Sequence, residues 1–160
     1  MNSIKKPDDS NPASDYFRLS RYLFYLIFHV DARYGEEIDK ILRTHNIERI
    51  HWQVLLCLRE KNPSSISELA GLTRKKLSTI SRVIERMRKD GLVKCAPRTT
   101  DQRITDVHLQ ASGERALEKI ITVTSKQYER ALDGFNSEET KNLRSYLQRI
   151  LDNLDRSPFE

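Results

Sequence analysis

The chain is short of the residues that commit a sequence to special chemistry. Cysteine occurs only at Cys57 and Cys95, with no C-x-x-C and no paired framework. That excludes a disulfide scaffold and predicts a protein of the reducing cytoplasm. The histidines His29, His45, His51 and His108 show no H-x-x-x-H and no Cys/His zinc spacing, so neither metal nor cofactor is expected. A glycine-rich phosphate loop, a G-x-S-x-G elbow and a recognisable Cys–His pairing are all missing, which argues against an enzyme. Long apolar runs are missing too. The longest, Tyr22 to Val30, contains His29 and is too short to cross a bilayer, so no membrane association is expected. The start, Met1 to Ser14, places Lys5, Lys6, Asp8 and Asp9 before any apolar stretch, unlike a secretory signal. With Pro7, Pro12 and little to bury, residues 1–14 are expected to form a disordered leader.

What is present is helix-forming and unevenly charged. Five glycines and five prolines among 160 residues leave room for long helices. Of 28 basic and 23 acidic residues, 61–110 hold 11 and 5, leaving 17 and 18 elsewhere. The whole positive excess therefore sits in one central third. A polyanion partner explains it, since phosphate contacts supply most non-specific nucleic-acid affinity. A chance cluster on a solvated face is the competing explanation.

Apolar periodicity predicts a mainly α fold with a small β-hairpin wing. A long helix is expected from Asp15 to about Thr44, with a bend near Gly35. Its first half is apolar on nearly all sides and calls for a covering surface, such as a partner subunit. A second helix spans Glu48 to Arg59 around Trp52, Leu55, Leu56 and Leu58. Ser65 and Glu68 spell a capping box that opens a short helix through Leu72. Thr73 is the expected N-cap of the next helix, which ends at Asp90-Gly91. Leu77, Ile80, Val83, Ile84 and Met87 form its expected buried stripe, with Lys75, Ser78, Arg82, Arg86 and Lys89 opposite. Leu92–Ala96 and Arg103–Leu109 read as a hairpin with a basic tip. Two further helices follow, from Ser112 to about Asp133 and from a Ser137 cap to the end.

Helix, short helix, helix with a basic face and basic hairpin make the winged helix-turn-helix order. The major groove admits one α-helix while the preceding helix braces on the backbone. Lys75, Lys76, Ser78, Thr79 and Arg82 have the chemistry for base edges and phosphates, against the alternative of a solvated helix face. Arg98 and Arg103 would lie along the adjacent minor groove, whose negative potential favours arginine.

At this point the sequence resembles a known family. The run Leu69-Ala70, Leu72-Thr73, Ser78-Thr79-Ile80-Ser81-Arg82, Glu85-Arg86-Met87 and Asp90-Gly91-Leu92-Val93 is similar to the helix-turn-helix of the MarR family (multiple antibiotic resistance regulators). Thr100-Asp101-Gln102-Arg103, Val107-His108-Leu109 and Ser112-Gly113 resemble its wing signature, and His51-Trp52-Gln53-Val54-Leu55 its second helix. The resemblance spans about residues 15–155. It implies one domain over 15–160, with dimerisation helices at 15–45 and 112–155 and a DNA-binding lobe at 48–110. It implies that Arg103 enters the minor groove and that Asp101 holds it. Lys76-Leu77 departs from the Asp-Arg pair common in the family, and Gln110 replaces a threonine.

The family also implies a homodimer on an inverted-repeat operator in double-stranded DNA, and regulation by a ligand between the dimer helices and the lobe. A repressor released by a small anionic aromatic or phenolic effector is the expected function. His51 and Trp52 could line that cleft or belong to the core, and His29 and Arg33 could meet the effector or pair with nearby carboxylates. Cys95, near Lys94 and Arg98, is either an oxidation-sensing thiol or an inert one. A winged-helix protein–protein interaction module and a non-specific architectural DNA-binding protein stay open as alternatives.

Overall fold

The computed structural model describes residues 8–156 and forms two compact units, Met1–Thr124 and Ser125–Glu160. Of the leader expected to be disordered, residues 1–7 lie outside those described. Residues 8–14 run through hydrogen-bonded turns. Asp8 Oδ1 accepts from the Ser10 amide at 3.0 Å, Asn11 Oδ1 from the Ala13 amide at 2.9 Å, and the Arg18 amide donates to the Asp9 carbonyl at 2.8 Å. The short polar side chains that bury nothing are the ones that close local turns.

In the first unit a 3-10 turn at Leu19–Arg21 leads to α1 (Leu23–Arg43) and α2 (Arg49–Glu60). Then come β1 (Ser64–Ser65), α3 (Ile66–Leu72), α4 (Leu77–Lys89), β2 (Val93–Pro97), β3 (Thr105–Leu109) and the start of α5 (Ala111–Ala131). The first helix begins eight residues later than Asp15, because Arg18 and Tyr22 are extended and the Arg18 amide is spent on Asp9. Only the second half of α1 is buried, where Ile38 and Leu42 pack with Ile120 of α5.

The larger core joins Leu55 and Leu58 of α2, Leu69 of α3, Ile80, Ile84 and Met87 of α4 and Val107 of β3. Ser65 accepts from the Glu68 amide at 3.2 Å while Glu68 Oε2 accepts from the Ser65 amide at 2.6 Å, the expected capping box. Thr73 is not the N-cap of α4. It ends α3, with Oγ1 donating to the Leu69 carbonyl at 2.7 Å, and Arg74 at φ 52° turns the chain. Lys76 is the N-cap, so Lys75 lies in the turn and not on the helix face. Leu77, expected in the core, is 54% exposed, because the first helical residue has no preceding turn and no neighbouring element over it. Gly91 at φ 70° ends α4 in a Schellman motif, the Leu92 amide donating to the Met87 carbonyl at 2.9 Å and the Gly91 amide to Arg88 at 3.1 Å.

The sheet has one strand more than the hairpin. Its antiparallel order is β1-β3-β2, with Ser64 opposite Val107 and Cys95 opposite Val107 on the other side. The start of α5 clasps the end of α4. Ser112 Oγ donates to the Gly91 carbonyl, and Gly113 lies so close to the Leu92 carbonyl that any Cβ would collide.

The second unit holds the end of α5 and α6 (Ser137–Leu154). Asn136, not Ser137, is the N-cap of α6. Its Oδ1 accepts from the Glu139 amide at 2.9 Å and its own amide donates to Glu139 Oε2 at 2.9 Å, leaving Ser137 as the first helical residue. No residue of α6 is buried. Among the described residues no helix is long and apolar enough to cross a membrane.

Candidate nucleic-acid interface

The exposed face of α4 follows from how the helix is held. Ile80, Val83, Ile84 and Met87 fix its inner side, so Ser78, Thr79 and Arg82 stand exposed on the outer side. Lys75 and Lys76 are exposed just before the helix, in the turn that Arg74 makes. Ser81 Oγ donates to the Leu77 carbonyl at 2.9 Å, which pins the first turn of the helix. Arg74 and Ser81 share this exposed surface yet lay outside the expected set. The mistaken N-cap at Thr73 hid Arg74. Further along, Arg86 pairs with Glu48 at 2.8 Å and Arg88 with Glu85 at 2.9 Å, so the C-terminal half of α4 is tied up in local charge.

The two wing arginines differ sharply. Arg103 is 91% exposed at the tip, and its guanidinium meets Asp101 in a fork at 3.0 and 3.1 Å. Asp101 also accepts from the Arg103 amide at 3.1 Å, which lowers its carboxyl below the usual range, the side-chain bond contributing most. Arg98 is bound at the wing's root. Its Nη2 donates to Asp106 Oδ1 at 2.8 Å and reaches Glu68 at 3.4 Å. The physical reason is Asp106, a carboxylate only 10% exposed on β3, which needs a cation beside it.

Glu68 ties three elements. Lys61 donates to it at 2.5 Å, the Ser65 amide caps against it, and Arg98 reaches it from the wing. The Lys61 bond first, then those from Ser65, lower its carboxyl to about 2. The pairing of Ser65 with Asp106 joins the same places through the backbone, so the wing and α3 are braced together.

The expected ligand residues separate into two kinds. His29 and Arg33 are exposed on α1, with the His29 ring edge-on to Tyr25 at 4.2 Å. His51 is 5% exposed on α2, and Trp52 packs against both cores. His51 Nε2 and Trp52 Nε1 are buried and meet no hydrogen-bond partner among the described residues. Burial, first of all, lowers the His51 pKa and favours the neutral ring. Desolvation raises the Cys95 pKa more than Arg88 lowers it, and burial raises Cys57 likewise.

The MarR family model matches residues 47–105, from the α1–α2 connection through the wing. The chain is 34% identical over 145 residues to the HTH-type transcriptional repressor IacR of Pseudomonas putida, covering 91% of this chain and 87% of that protein. Its fold is similar to that of a transcriptional regulator of the MarR family from Silicibacter pomeroyi (TM-score 0.80, 22% identity, 88% of this chain and 95% of that one). It is similar as well to BpsR of Bordetella bronchiseptica (TM-score 0.75, 19% identity, 85% and 97% covered), whose structure concerns regulation of its DNA binding by 6-hydroxynicotinic acid.

Proposed function

The chain belongs to the MarR family, and on that premise we propose that it is a sequence-specific, homodimeric DNA-binding repressor released by a small anionic aromatic or phenolic effector. It acts by binding and not by catalysis, and it works in the cytoplasm. One observation carries the reading. A helix start with exposed Lys75, Lys76, Ser78, Thr79 and Arg82 is followed by a braced wing whose tip holds a single forked, exposed Arg103. Arg and Lys meet guanine edges and phosphates, Ser and Thr meet either, and an arginine at a wing tip suits a narrow minor groove.

The dimer reading rests on apolar surface left open. Leu23, Phe24, Leu26, Phe28 and Val30 on α1 are 45–68% exposed, and on α6 Leu143, Tyr146, Leu147, Leu151 and Leu154 are 38–65% exposed. A two-fold dimer is the commonest way to cover such faces. Its recognition helices would enter successive major grooves about 34 Å apart and read an inverted repeat.

The effector reading is supported by the unpartnered His51 and Trp52 nitrogens, which suit a carboxylate or phenolic oxygen, and by the ligand regulation of BpsR. An effector bound there would stabilise a dimer whose helices no longer match the operator spacing. His29 and Arg33 belong to this proposal only if α1 of a partner brings them near.

The test is selection of sheared genomic DNA by the purified protein near physiological salt, with Arg82→Ala and Arg103→Ala alongside. One enriched inverted repeat, weakened by both substitutions, is the expected result. Retention without a shared sequence would instead mark an architectural protein, and no retention an interaction module. Titration with small aromatic acids should then release the selected duplex. Affinity unmoved across a broad set would remove the effector from the reading.

A further inference from the structure

We infer that Leu77 reads thymine, its side chain meeting the C5-methyl group of one thymine in the major groove of each half-site. This deepens the DNA-binding reading above and rests on it. Periodicity assigns Leu77 to the core stripe, yet it is 54% exposed while Ile80 and Ile84 of the same stripe are 0% and 2%. Leu77 is the first residue of α4. Helical side chains lean toward the N-terminus, so a side chain at this position projects past the end of the helix. The N-terminal residues of a recognition helix are also the ones that reach base edges.

The surroundings narrow the occupant. Lys75, Lys76, Ser78 and Thr79 flank Leu77 and are all exposed, so no apolar protein surface adjoins it within the turn. This basic setting would repel a second copy of the same turn and attract a polyanion. On a duplex, the apolar group displayed on the major-groove edge of a base pair is the thymine methyl. Leucine offers no hydrogen bond, so it distinguishes thymine from cytosine by that methyl alone. The Ser81–Leu77 hydrogen bond holds the backbone from which Leu77 projects. Leu72 is 59% exposed too, but it ends α3, the helix that braces across the backbone and meets no base edge.

The test uses the full chain and a random duplex library selected by the wild type. In the selected duplex each thymine is replaced in turn by deoxyuridine, which removes only the methyl. Wild-type affinity should fall about threefold to fivefold at one position per half-site, the size of one buried methyl. The same replacement should leave Leu77→Ala and Leu77→Gln unmoved. Two variants guard against a folding defect in either, since both substitute an exposed side chain. Equal losses in wild type and both variants, or a wild type indifferent to every replacement, would overturn the assignment while leaving the regulator reading intact. A library that returns no common sequence would sink both.

Discussion

Helices α4 and α6 are both amphipathic, yet α4 hides its apolar face and α6 does not. α4 buries Ile80, Val83, Ile84 and Met87 and shows lysine, serine, threonine and arginine. α6 buries nothing and shows Leu143, Tyr146, Leu147, Leu151 and Leu154. Periodicity is the same signal in both helices. What separates them is whether the chain itself covers the apolar stripe. Where it does, the polar face is left exposed, and where it does not, the apolar face is.

The comparison breaks first on apolar truncation. Leu58 is fully buried, and Leu58→Ala should cost about 2–5 kcal/mol in denaturant unfolding. Leu147 is 38% exposed, and on a bare helix its truncation would stay within about 0.5 kcal/mol. With a partner over α6, Leu147→Ala instead weakens the dimer and makes the melting temperature depend on protein concentration. Sedimentation equilibrium on both variants separates the cases. A monomeric wild type with an indifferent Leu147→Ala would remove the contrast altogether.

A second contrast lies within the wing. Arg103→Ala should weaken binding to the selected duplex by about 1–3 kcal/mol with an unchanged melting temperature, because Arg103 is 91% exposed and its partner Asp101 is only partly buried. Arg98→Ala should do the reverse. It strips the cation from Asp106, which is 10% exposed, so the melting temperature should fall, and Asp106→Asn should recover part of the loss. If Arg98→Ala lowers affinity at full stability, Arg98 touches DNA as well as bracing the wing.

These differences also mark how far the sequence could be read. The capping box at Ser65 and Glu68, the end of α4 at Gly91 and the stripe from Ile80 to Met87 are local patterns, and all were legible. The Asp101–Arg103 pair was implied by the family resemblance. Thr73 was misread because the same side chain can cap a helix start or bond back to the turn behind it, and only the backbone of Arg74 decides. Two contacts left no local trace: Ser64 pairs with Val107 and Glu68 meets Arg98, each between elements far apart in sequence. Leu77 reads as core by periodicity, but its place at the very start of α4 leaves it uncovered.

The smallest effect expected concerns the charge that braces the lobe. Glu68 is held near 2 in the folded protein against an ordinary 4.5, through Lys61 first and Ser65 second. A carboxylate lowered on folding adds stability that is fully present above its unfolded pKa. As pH falls from about 4.5 toward about 2, that contribution is lost. Glu68→Gln keeps an acceptor for the Ser65 amide and removes only the charge. The variant should therefore melt slightly lower than wild type at neutral pH, by the equivalent of about 1 kcal/mol at most for a pair this exposed. The two melting curves should converge as the acid limb is reached. Because α3 and the wing share Glu68, the neutral-pH deficit should appear in amide exchange on α3 and β3 before α6. Equal exchange changes in α6 would mean that the brace is not local to the lobe, and the two helices would then differ in covering alone.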